Sequence, residues 1–189
     1  MIYEEKEFAL GDKKLVLRSA TADDAEMLCN YIKTVTGETR FLMCEPDEIA
    51  LSIEEELDFI KSHNESPDAA LIMGYLIEES DGKRIENYVG NCSFTRIYGS
   101  RRYQHRADLG IALFQKYTGQ GIGRLMLGAL LEEIKRLGFE QAELTVISNN
   151  DRARHLYESF GFVEYGRLPN ANKYDDGTYS DDIKMVLSF

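Results

Sequence analysis

Apolar residues recur at helical spacing most clearly between Ile122 and Leu137. There Ile122, Leu125, Met126, Ala129, Leu130, Ile134 and Leu137 fall on one stripe, and Gly138 follows at a C-terminal cap position. Two shorter helical patterns lie upstream. "TADDAEMLCNYIKTV" opens on Thr21 as N-cap with acidic residues in its first turn, and "SIEEELDFIKSH" opens on Ser52 with Glu55 at capping-box spacing. Strands are predicted at "KKLVLRSA", Ala69 to Ile77, Glu86 to Ile97 and Tyr103 to Phe114, with a turn at "ESDGKR". After the long helix come a strand at "QAELTVI", a helix from Asp151 to Phe160, and strands near Phe162 to Leu168 and Tyr179 to Leu187. Antiparallel strands first and a βαβα order afterwards predict an α+β protein, a mixed sheet of six to seven strands flanked by helices. No repeat, low-complexity tract or Pro/Gly/Ser-rich linker divides the chain, so residues 1–189 read as a single domain.

The turn before the long helix, "QKYTGQGIGRLML", carries three alternate glycines, Gly119, Gly121 and Gly123. A helix mouth presents unpaired N–H groups and a partial positive charge, and glycine lets a bulky anion approach them without a Cβ in the way. The pattern reads as a phosphate cradle, with a tight ligand-free turn as the competing reading. A P-loop needs GxxxxGK[ST], whereas Gly123 is followed by Arg124 and Leu125. The dinucleotide fingerprint GxGxxG requires glycine at position 124, which is Arg124. Glu143 lies at about the distance of a ribose-binding acid, but near the start of its strand.

A formal charge of −11 disfavours a nucleic-acid binder, which needs a basic face, and suits a cationic substrate. Cys29, Cys44 and Cys92 are odd in number and widely spaced, without a CxxC or clustered histidines. They are expected as buried free thiols rather than as a disulfide framework or metal site. The first twenty residues are broken by charges, and no apolar run reaches membrane-spanning length, so a cytoplasmic protein with no membrane contact is expected.

"YTGQGIGRLML" followed by "NNDRARHLYESFGF" resembles the GNAT superfamily of acyl-CoA-dependent N-acyltransferases, over about the C-terminal half of the chain. The family's Q/R-x-x-G-x-G/A turn places its glycines on Gly121 and Gly123, with Thr118 at the Q/R position. Its second motif, N-x-x-A-x-x-L-Y-x-x-x-G-F, is matched by Asn150, Ala153, Leu156, Tyr157, Gly161 and Phe162. The tail "DGTYSDDIKMVL" resembles the closing strand of bacterial enzymes similar to the ribosomal-protein N-terminal acetyltransferases.

The resemblance implies acetyl-CoA as co-substrate and no metal. Its pyrophosphate would meet the backbone of Thr118, Gly119, Gln120, Gly121, Ile122 and Gly123. Arg124 would add charge, and Asn150 of the second motif is a further cofactor contact. The family holds the pantetheine arm where two parallel strands splay, here "ADLGIALF" and "ELTVISN". Backbone groups at Leu113 and Phe114, otherwise costly orphans, would bond its amides. A homodimer is the habit of the family.

Transfer from a thioester to an amine needs the ammonium to lose a proton and the departing thiolate to gain one. For an amine of pKa ~10.4 the first requirement costs roughly 4.6 kcal/mol at pH 7, so a base or a desolvating acidic pocket is wanted. Tyr157 resembles the tyrosine that many relatives place near the cofactor sulfur, a donor to the thiolate, against the alternative of a packed aromatic. Asp108 in "HRADLGI" occupies a position where a number of relatives carry a glutamate. Alternation sets it with Gly110 and Ala112, opposite Leu109, Ile111 and Leu113, as the candidate general base. His105 and Glu143 are its rivals. The absence of a Ser/His/Asp or Cys/His constellation favours direct attack by the amine in a ternary complex. The carboxylates of "SIEEELDFIKSHNESPD" and "NKYDDGTYSDDIKM" are candidates for a rim that attracts a primary amine, on a small molecule or a peptide N-terminus. Two functions follow: an N-acetyltransferase, or a GNAT-fold protein that binds acyl-CoA as a sensor or interaction module without turnover.

Overall fold

The computed structural model describes residues 1–80 and 83–189, so Asp81 and Gly82 of the expected "ESDGKR" turn lie outside the described residues. The strands are β1 (Lys6–Leu10), β2 (Lys13–Ser19), β3 (Ala69–Ser80), β4 (Lys83–Arg96), β5 (Arg106–Leu113), β6 (Gln141–Ile147), β7 (Val163–Lys173) and β8 (Tyr179–Ser188). The helices are α1 (Ala25–Glu38), α2 (Ile53–Glu65), α3 (Ile122–Arg136) and α4 (Asp151–Ser159). The strands hydrogen-bond in the order β1-β2-β3-β4-β5-β6-β8-β7, with β5 parallel to β6 and β6 antiparallel to β8. This is the expected mixed sheet, with one strand more than the upper count: Lys6–Leu10 folds back on β2 through Gly11 at φ +62°.

The described residues form two compact units, Met1–Thr95 with Gly110–Leu130, and Arg96–Leu109 with Leu131–Phe189. The chain passes between them three times, after Thr95 at the end of β4, after Leu109 in β5 and after Leu130 in α3.

In the first unit, α1 turns Leu28, Tyr31 and Val35 toward Val16, Leu71 and Met73 of the strands, and Ile60 of α2 joins the same core. The start of α1 is fixed by Asp24, which closes a capping box with Thr21 and takes both terminal nitrogens of Arg18 at 2.8 Å. The expected box on α2 is also present, Ser52 and Glu55 each bonding the other's backbone N–H. Opposite Gly74 and Tyr75 of β3, β4 presents Gly90 and Tyr88, which leaves Val89 between them as a bulge.

The α3 stripe is wider than expected, because Leu127 and Leu131 are buried along with Ile122, Met126, Leu130 and Ile134. Each wholly buried side chain of this size contributes roughly 1.5–3 kcal/mol relative to exposure. The second unit buries Leu144 and Val146 of β6, Ile183 and Met185 of β8, and Tyr157 of α4. Cys29 and Cys92 are buried as expected, but Cys44 is exposed in the segment between α1 and α2, whose neighbouring Met43 is exposed as well.

Candidate active site

In the first unit, β5 leads through a short 3-10 turn at Gln115–Tyr117 into the glycine segment and α3. Gly119 (φ +76°) and Gly121 (φ +84°) take left-handed backbone conformations. An added Cβ would meet nothing within 4 Å at Gly119 and only Leu10 Cδ1, at 3.5 Å, at Gly121. The glycines therefore answer a demand of the backbone, and the space before them is open. The Gly121 carbonyl accepts the N–H groups of Arg124 (3.1 Å) and Leu125 (3.2 Å), which leaves those of Ile122 and Gly123 as the orphan donors of the helix mouth. Thr118 Oγ1 donates to the Gln115 carbonyl (2.8 Å) and Gln120 Nε2 to that of Lys116 (2.7 Å). Both side chains brace the turn, beside the backbone N–H groups of the helix mouth. Arg124 stands exposed on the first turn of α3.

The end of β5 divides the two expected pantetheine contacts. The Ile97 N–H donates to Arg106 O and the Phe114 N–H to Val89 O, so the even-numbered residues of β5 turn their backbone groups to β4. Leu109, Ile111 and Leu113 turn theirs away. The parallel register to β6 covers Arg106↔Gln141, Ala107↔Ala142 and Asp108↔Glu143 and stops short of Ile111 and Leu113. Leu113 lies beyond the end of that register, whereas both backbone groups of Phe114 are already bonded. Its N–H is bonded across to Val89 of β4 and its carbonyl accepts from Tyr117 as the strand begins to turn, each at 3.0 Å.

A residue the sequence did not flag lies beside it. The buried Tyr31 hydroxyl donates to the Ala112 carbonyl at 2.8 Å and is contacted by the Asn91 backbone N–H, bridging β4 and β5 at the bulge. Its ring meets Phe114 edge-on at 4.9 Å and Tyr88 at 5.1 Å.

In the second unit, Tyr157 is buried on α4 with its ring 5.8 Å from that of Phe162. Burial pushes its phenol up to about 12, so it stays protonated at neutral pH and is available as a proton donor. Asn150 is the N-cap of α4, its side-chain oxygen accepting the Ala153 N–H at 3.2 Å. That oxygen is committed to the helix, so a cofactor contact by Asn150 falls to its amide nitrogen.

Asp108 is open to solvent on one side and backed by protein on the other. Desolvation raises its carboxyl above the usual range, the charge of Glu143 raises it further, and Lys184 opposes both. Its rivals as base are placed differently. Glu143 is buried and locked: Arg106 Nε bonds one oxygen, while Arg106 Nη2 (2.8 Å) and the Tyr165 hydroxyl (3.0 Å) bond the other. The Arg106 bonds, acting against burial, hold its carboxyl below the usual range. His105 lies in the turn before β5 rather than on the strand, and its carbonyl accepts the N–H groups of Glu140 and Gln141. Arg106 and Tyr165 were not legible as site residues, since their roles depend on which strands neighbour β6. Among the described residues, no group of three or more His, Cys, Asp or Glu is placed to hold a metal ion, and no helix is long and apolar enough to cross a membrane.

Residues 39–162, a span that includes Asp108, the glycine turn and Tyr157, match the Acetyltransferase (GNAT) family. The chain belongs to this family. It is 25% identical over 173 residues to YwnH of Bacillus subtilis, whose name assigns it provisionally to phosphinothricin acetylation; the match covers 91% of this chain and 97% of YwnH. A shorter match, 38% identical over 77 residues (41% of this chain, 51% of the relative), is to the [ribosomal protein bS18]-alanine N-acetyltransferase of Escherichia coli. Among solved structures, a GNAT-family acetyltransferase from Streptococcus pneumoniae superposes with TM-score 0.81 at 27% identity, over 93% of this chain and 99% of that one. The yncA protein of Salmonella typhimurium, a provisionally assigned acetyltransferase solved with acetyl-CoA, superposes with TM-score 0.75 at 17% identity, over 92% and 93%. This GNAT protein is thus an acyl-CoA-dependent N-acetyltransferase by family, with the family's mixed sheet.

Proposed function

We propose that this GNAT protein transfers the acetyl group of acetyl-CoA to a primary amine, on a small molecule or a peptide N-terminus, by direct attack within a ternary complex. The observation that carries the reading is the α3 mouth. Gly119 and Gly121 hold left-handed conformations before open space, and the N–H groups of Ile122 and Gly123 lack helical partners. A diphosphate fits such a mouth, and the outward backbone of Leu113 suits the amides of an extended arm. The yncA structure with acetyl-CoA supports the choice of cofactor through the shared fold.

Asp108 accepts the proton of the acceptor ammonium, directly or through water, and the freed nitrogen attacks the thioester carbonyl. As the new C–N bond forms and the C–S bond breaks, Tyr157 gives its phenolic proton to the departing sulfur. Solvent takes the second proton from the new amide nitrogen and relays the proton held by Asp108 to the phenolate, so the enzyme ends as it began and one proton is released. Low-dielectric surroundings at Tyr157 keep its proton in place until negative charge develops beside it.

The test is a screen of amines with acetyl-CoA that reads free thiol. Polyamines, aminoglycosides, amino acids and short peptides make up the panel. Thiol release that depends on one acceptor class supports the reading. Saturable acetyl-CoA binding with no acceptor-dependent thiol release would leave the chain an acyl-CoA-binding module.

A further inference from the structure

At the end of the β5–β6 ladder, Asp108 and Glu143 stand opposite each other in register. Arg106, two residues before Asp108 on β5, shares its face of the sheet, and its guanidinium is already taken up by both oxygens of Glu143. Behind that guanidinium lies the ring of Tyr103, 5.4 Å from centroid to charge, which in turn meets Tyr98 edge-on at 5.0 Å. From β7 the Tyr165 hydroxyl adds a third donor to Glu143. The groups whose charge reaches Asp108 are Glu143 from β6, Lys184 from β8 and Tyr165 from β7, and Arg106 shares its face of the sheet on its own strand.

This arrangement matters because an arginine two residues from a carboxylate would ordinarily pair with it. A carboxylate paired with arginine is a poor proton acceptor. Here the fork of Arg106 is committed to Glu143, and the remaining charge of Glu143 is fixed across from Asp108 rather than free to swing away. We propose that Glu143 is a positioning residue for the acyl transfer: it draws Arg106 off Asp108 and, held by Arg106 and Tyr165, presents a fixed negative charge that makes the Asp108 carboxylate a stronger proton acceptor. The inference rests on the reading of Asp108 as the base, and Glu143 acts through it without touching substrate.

Carboxyl-carbon NMR titration of Asp108 and the pH profile of kcat/KM, measured on the full chain, test this together. In Glu143→Gln the opposing charge is gone and Arg106 is released toward Asp108. Asp108 should titrate at lower pH, and the acid limb of kcat/KM should move down with it. The rate at neutral pH should fall within about tenfold, against roughly 10²- to 10⁴-fold for Asp108→Asn. Glu143→Asp keeps the charge and should keep the limb near its wild-type place, which a merely structural role would not require. An Asp108 titration unchanged in folded Glu143→Gln overturns the inference. A moved titration with an unmoved acid limb overturns it too, and if Asp108→Asn also retains wild-type rate, the base reading has failed rather than the electrostatic coupling. Should Glu143→Gln not fold, Arg106→Gln carries the test with opposite sign: loss of the cation moves Asp108 and the limb to higher pH, and no movement overturns the inference.

Discussion

Gly90 of β4 lies so close to β5 that a Cβ at this position would stand 2.3 Å from the Ala112 carbonyl oxygen and 2.7 Å from the Leu113 Cα. Its φ of +144° is itself a conformation that side chains rarely adopt. The glycine follows the Val89 bulge and faces the stretch of β5 whose Ala112 carbonyl is held by Tyr31 and whose Leu113 backbone turns outward. Close approach at Gly90 is thus what lets the strand end run in contact with β4 up to the glycine turn before α3.

Gly90→Ala should therefore be costly in spite of its size. Backbone strain and a clash with backbone atoms, neither of which a rotamer change relieves, predict a loss of about 2–4 kcal/mol. Urea unfolding against wild type measures it, and a loss below about 0.5 kcal/mol would show that β5 moves aside without cost.

Gly121→Val tests the cradle by a different route. No protein atom blocks the new side chain closely, since the nearest is Leu10 Cδ1 at 3.5 Å, but a β-branched residue at φ +84° is strained by roughly 1–3 kcal/mol. The turn should abandon its shape, and acetyl-CoA affinity by calorimetry should fall at least about tenfold, which is about 1.4 kcal/mol. Unchanged affinity in a folded variant would detach the glycine segment from cofactor binding.

For Tyr157→Phe the expected loss is in kcat, by roughly 10²-fold or more, with little change in acetyl-CoA affinity, because the phenol acts as charge develops on sulfur. With its pKa pushed up to about 12 by burial, the phenol remains a donor across the whole assay range. No alkaline limb below about pH 10 should disappear in the variant. Full turnover in folded Tyr157→Phe would return the residue to packing against Phe162.

Asp24 couples the fold to acid. Burial alone would raise its carboxyl, but the bonds from Arg18 and from the Thr21 backbone and hydroxyl win, lowering it from 3.8 to about 2. A folded value below the unfolded one means stability that is present above about pH 4 and is lost as pH falls through the folded value. The shift corresponds to about 2 kcal/mol. Asp24→Asn should be less stable than wild type by about that amount at pH 7. Urea midpoints taken at decreasing pH should converge as the solution approaches about pH 2. A gap that stays constant with pH would assign the loss to the capping geometry instead of the charge.

Much of the architecture was written in short stretches of chain. The Ser52–Glu55 box, the stripe of α3 and the left-handed glycines at 119 and 121 each depend on residues a few positions apart, where periodicity, a cap or a φ value leaves a direct mark. Asn150 stands out in the sequence only as a motif residue and candidate cofactor contact, and its N-cap bond to Ala153 came from the structure. β1 was missed because it is only five residues long and lies at the sheet edge, where none of its residues is buried and only Phe8 and Leu10 are partly covered.

Tertiary structure alone decided which groups of the candidate site are already spoken for. Phe114 loses its N–H to Val89 because of how β4 and β5 are registered, and Glu143 ceases to be a free base because β5 and β7 deliver Arg106 and Tyr165 to it. Local sequence specifies the conformations a segment can hold. The partner of a backbone group or a charge is set by strand register between segments distant along the chain, and a shift of one residue would turn Arg106 and Asp108 to the opposite face.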